Sequence, residues 1–71
     1  MADEVRAPIT GVVFQVVASA GERVAAGDPI LILESMKMEI PVEAPRAGVV
    51  RAIQVAEGQT VQEGEVVAVL E

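Results

Sequence analysis

With 71 residues and a net charge of −6, the chain has room for one small hydrophobic core, and its charge repels phosphate backbones. Cysteine, histidine, tyrosine and tryptophan are all absent, which removes disulfides, thiol chemistry, the usual general base and the common soft-metal sites. Hydrophobic residues make up 52% of the chain and Phe14 is its one aromatic, so the core must be aliphatic and largely β-branched, which suits a pleated sheet.

The chain opens on Met1-Ala2-Asp3-Glu4, an acidic start without the apolar region of a secretory signal. The longest apolar stretch, near residues 12–20, is broken by Gln15 and too short to span a bilayer. These features predict a soluble, cytoplasmic protein with no membrane partner and, with no basic patch, no nucleic acid. A first group of strands is predicted at residues 4–8, 11–17, 22–24 and 29–34. Turns are signalled by Ser19-Ala20-Gly21 and Ala26-Gly27-Asp28. A second group follows at 38–44, 48–55, 60–61 and 65–71, with turns at Glu57-Gly58 and Glu63-Gly64. Pro41 cannot donate to a ladder, so it belongs on an edge or at a bulge. Residues 18–26 are alanine-rich, but Gly21 interrupts them and no helix is predicted there.

The two groups are copies. Residues 7–34 align with 44–71 at an offset of 37 without gaps, and ten of the 28 pairs are identical. Ala7-Pro8-x-x-Gly11-Val12-Val13 meets Ala44-Pro45-x-x-Gly48-Val49-Val50, and Gly21, Val24 and Gly27 meet Gly58, Val61 and Gly64. Such a repeat predicts one domain over 1–71. The expected fold is all-β: a flattened β-barrel or sandwich of two four-stranded units related by a pseudo-twofold axis. The termini should meet at one end, and the hairpin joining the units should lie at the other.

Catalytic options are few. Glu34, Glu39 and Glu43 sit in no calcium-loop pattern. Ser19 and Ser35 lack a histidine to activate them. That leaves Lys37, the only lysine, at the seam of the repeat in Glu34-Ser35-Met36-Lys37-Met38-Glu39. Two large apolar side chains flank a turn tip where Asn, Asp or Gly would be usual. Exposed methionines suit contact with several partners. An ordinary lysine amine is protonated at neutral pH and a poor nucleophile, so a separate enzyme would have to deliver an activated acyl group. The pattern is that of a modification site.

At these residues the chain resembles the biotinyl/lipoyl carrier domains, on the biotin branch. Glu34-Ser35-Met36-Lys37-Met38-Glu39 is similar to the attachment motif, and Ala7-Pro8-x-x-Gly11, Gly27-Asp28 and Ala44-Pro45-x-x-Gly48 stand at family spacing. Lipoyl members typically carry Asp-Lys-Ala instead. Ile9-Thr10 departs from the family's frequent Met-Pro, and the gapless repeat leaves no room for a thumb insertion, so the resemblance is to the small thumbless type. It implies biotin joined to Lys37 by a biotin protein ligase, with Glu34, Ser35, Met36 and Met38 as recognition context. It also implies a swinging arm that takes carboxylate from a biotin carboxylase to a carboxyltransferase. The expected role is a non-catalytic carrier of a biotin-dependent acyl-CoA carboxylase, for example the acetyl-CoA carboxylase of fatty acid biosynthesis. Two alternatives stand: a lipoyl or dual biotin/lipoyl carrier, and an unmodified binding module.

Overall fold

Short runs of valine, isoleucine and leucine between glycine turns should each bury one side of a strand. A computed structural model of the chain has eight such strands: β1 (Asp3–Arg6), β2 (Gly11–Val16), β3 (Arg23–Val24), β4 (Pro29–Ser35), β5 (Met38–Glu43), β6 (Gly48–Ile53), β7 (Thr60–Val61) and β8 (Val66–Leu70). The structure describes residues 2–71, and Met1 lies outside them. The all-β expectation is borne out, and residues 18–26 form turn and strand. Most strands end earlier than the hydrophobic pattern suggests. Ala7 and Ala44 are buried, yet their N–H groups leave the ladders to donate to the carbonyls of Glu65 at 2.9 Å and Asp28 at 2.8 Å. Burial alone therefore over-extends a strand when the chain dives into the core at a turn.

All pairings are antiparallel, in two sheets ordered β1-β8-β6-β3 and β5-β4-β2-β7. Adding 37 to β2 and β3 gives β6 and β7, and the same shift carries the order of one sheet onto the other. The sheets are not the sequence halves, however. Each takes two strands from either half, and four of the six pairings cross between halves. Each copy is thus completed by the other.

Hydrogen bonds repeat under the shift. Val13 N–H donates to the Gln59 carbonyl and Val50 N–H to that of Glu22, both at 2.8 Å. Gly21 N–H donates to the Val50 carbonyl and Gly58 N–H to that of Val13, both at 2.7 Å. Gly21 and Gly58 hold φ of +92° and +90°, which an L-residue adopts only with strain. The largest side chains of the core between the sheets are Ile30, Leu31, Leu33, Val13, Val50, Val61, Val67 and Leu70, with no buried polar side chain among the described residues. Phe14 is left out of it. The register shifts between Val13 and Gln15, and the ring at that bulge is half exposed.

The ladder positions the joining hairpin. β1 pairs its first residue, Asp3, with Leu70, so the two ends of the described chain lie side by side. It then runs away from them and delivers the chain to the start of β2, where Val12 pairs with Glu34 at the hairpin's base. No helix among the described residues is long and apolar enough to cross a membrane.

Candidate functional site

β4 and β5 pair from Pro29↔Glu43 up to Ser35↔Met38, so only Met36 and Lys37 are left to turn the chain. Both have positive φ, 52° and 64°, the conformation of a type I′ hairpin turn. Such turns favour Asn-Gly because an L-residue in the left-handed region costs about 1–2 kcal/mol. Here methionine and lysine take the strained positions. The surrounding sheet holds them there: Leu33 is fully buried three residues before the turn, and β2 packs close beneath it. A Cβ added at Gly11 would lie 2.7 Å from the Glu34 carbonyl oxygen, so only glycine lets β2 approach the hairpin's base so closely.

The tip is open. Met36 is 91% and Met38 60% exposed. Lys37 is exposed, and its ammonium makes no hydrogen bond or ion pair with any described residue. No cleft opens around it among the described residues. Below the turn, exposed Glu34 stands directly opposite exposed Glu39 on the outer face of the sheet, and Ser35, opposite Met38, is half buried. Like charges directly across a ladder are destabilising. The strands of this sheet carry Glu34, Glu39 and Glu43 and no arginine or lysine, whereas β1, β3 and β6 carry Arg6, Arg23 and Arg51. Lys37 is thus a lone cation at the end of an acidic face.

The structure brings all five expected site residues, Glu34, Ser35, Met36, Lys37 and Met38, onto one hairpin. Ser19 lies apart, in a turn where its N–H donates to Glu22 Oε1 at 3.1 Å. What motif reading missed is the facing of Glu34 and Glu39 and the strain at Met36 and Lys37. The signal for the facing was available, because a two-residue turn at 36–37 pairs 35 with 38 and 34 with 39. Chemically, the arrangement presents a primary amine on a rigid stem. An acyl group delivered by another enzyme needs an accessible amine and room for its tail, and Lys37 offers both.

Comparisons with known proteins bear on the family and the fold. The family described as "Biotin-requiring enzyme" matches residues 3–70. A "Biotinylated protein TB7.3 homolog" of Mycobacterium leprae is 54% identical over 44 residues, which is 62% of this chain and 62% of that relative. The matched stretch therefore spans less than two thirds of the relative's own length. Among solved structures, the urea carboxylase of Kluyveromyces lactis superposes with a TM-score of 0.95 at 37% identity, covering 100% of this chain and 6% of that one. A single-chain, multi-domain long-chain acyl-CoA carboxylase superposes with a TM-score of 0.89 at 35% identity, covering 96% of this chain and 7% of that one.

Proposed function

Because the chain belongs to the biotinyl and lipoyl attachment family, we propose that residues 1–71 form a biotin carboxyl carrier whose biotin is held in amide linkage on Nζ of Lys37. The observation that carries this reading is the exposed Lys37 amine on a strained two-residue turn between Met36 and Met38. Bound biotin supplies the group that accepts and releases carboxylate. The chain's own residues do the rest. The β4–β5 ladder keeps the stem rigid, the turn sets the amine outside the acidic face, and Met36 and Met38 offer apolar surface to visiting enzymes. Tethering raises the effective concentration at each partner site to about millimolar for a short flexible link.

The partners proposed are a biotin protein ligase, a biotin carboxylase and a carboxyltransferase, and the carrier itself is non-catalytic. An acyl-CoA carboxylase is the favoured setting, supported by the likeness to the long-chain acyl-CoA enzyme. Lipoylation is disfavoured, since the apolar flanks at Met36 and Met38 differ from the lipoyl pattern. Co-expression with a biotin ligase and free biotin is expected to add one biotinyl group by intact mass. Lys37→Ala and Lys37→Arg should gain none while keeping the β-rich circular dichroism of the parent, because arginine keeps its charge but cannot be deprotonated in proteins. Biotin found elsewhere with Lys37 free would overturn the assignment.

A further inference from the structure

Sulfur is scarce in this chain and concentrated where function is expected. There is no cysteine, and apart from Met1 the only methionines are Met36 and Met38, on either side of Lys37. They are 91% and 60% exposed, whereas no other large apolar side chain among the described residues exceeds 50%. Thioether oxidation follows exposure, and it turns an apolar, flexible side chain into a polar one.

We propose that Met36 and Met38 form a reversible, peroxide-sensitive modification site that controls acylation of Lys37, an inference that rests on reading Lys37 as the biotin attachment point. In the step, a methionine sulfur attacks one oxygen of hydrogen peroxide. The S–O bond forms as the O–O bond breaks, and the departing hydroxide takes up a proton to leave as water. Sulfur loses two electrons and peroxide gains them. Dithiol-dependent methionine sulfoxide reductases, one for each sulfoxide epimer, reverse the change, releasing the oxygen as water while the dithiol becomes a disulfide. The hairpin places both methionines next to Lys37 at its tip, so a ligase surface that packs on two thioethers meets two sulfoxide dipoles instead. Such a surface must desolvate them, and recognition falls.

The test uses the unmodified chain, treated with hydrogen peroxide and then catalase before any ligase is added. Peptide mass mapping should find one oxygen on each of Met36 and Met38, with Met36, the more exposed, oxidised at least as fast as Met38. Biotinylation by purified ligase should then slow by about tenfold or more, equivalent to losing roughly 1.4 kcal/mol of recognition. A pair of reductases, one for each sulfoxide epimer, with a dithiol should restore it. The Met36→Leu, Met38→Leu double variant should keep its own untreated rate after peroxide, although Met1 remains. Unchanged biotinylation after full oxidation, a slowdown that persists in the double variant, or one that the two reductases together cannot reverse would overturn the inference and leave the carrier assignment standing. Failure of untreated chain to take biotin at Lys37 would overturn both.

Discussion

At the scale of single residues, the turn at Met36 and Lys37 trades stability for display. With φ of 52° and 64°, both side chains sit where L-residues cost about 1–2 kcal/mol each. Such outliers persist only where the surrounding structure over-determines them, and they gather at functional sites. Met36→Gly should therefore stabilise the fold by about 0.5–1 kcal/mol, the relief of strain less the extra chain entropy of glycine. The readout is a higher urea midpoint at unchanged slope, and a lower midpoint would remove the claim of strain. Lys37 could be singled out from sequence because it is the only lysine and stands between two methionines. Its backbone conformation could not, since methionine and lysine carry no preference for positive φ.

On the scale of the element, the β4–β5 hairpin breaks a second local rule. Glu34 and Glu39 face one another across the ladder with no arginine or lysine in the strands of their sheet. Glu34→Gln should raise stability by about 0.2–1 kcal/mol at low ionic strength. The gain should shrink at 1 M salt, where the screening length falls to about 3 Å. Urea titrations at both ionic strengths decide this, and a gain that ignores salt would point away from charge repulsion. Pro41 fits its place because β5 is an edge strand. A missing N–H there costs no ladder bond and discourages pairing with another chain.

For the whole molecule, the governing feature is the exchange of strands between the halves. β1 completes the sheet of β8 and β6, while β7 completes that of β2 and β4. Val13 and Val50 occupy equivalent places, each 1% exposed, and their carbonyls accept from Gly58 and Gly21 at 2.7 Å. Val13→Ala and Val50→Ala should each cost about 1–3 kcal/mol through lost burial and the cavity left behind. Equivalence makes a sharper demand, that the two costs agree within about 0.5 kcal/mol, the usual error of comparing independent sites. Chemical denaturation of the two variants measures it, and a clear inequality would show that the pseudo-symmetry is one of shape without energy.

The sequence by itself determined the strand content, the turn glycines, the internal copy and the exposed lysine hairpin. Each of these is written in local pattern: valine and glycine spacing, the offset of 37, and Met36-Lys37-Met38. It could not decide which strands share a sheet, because a pseudo-twofold repeat permits both closed halves and exchanged ones with the same hydrophobic pattern. It also left open that Phe14 lies outside the core, which follows from the bulge between Val13 and Gln15. The close seat of Gly11 under Glu34 likewise depends on two strands meeting. Register and cross-strand approach are long-range quantities settled by burying all eight strands at once, and tertiary packing alone decided them.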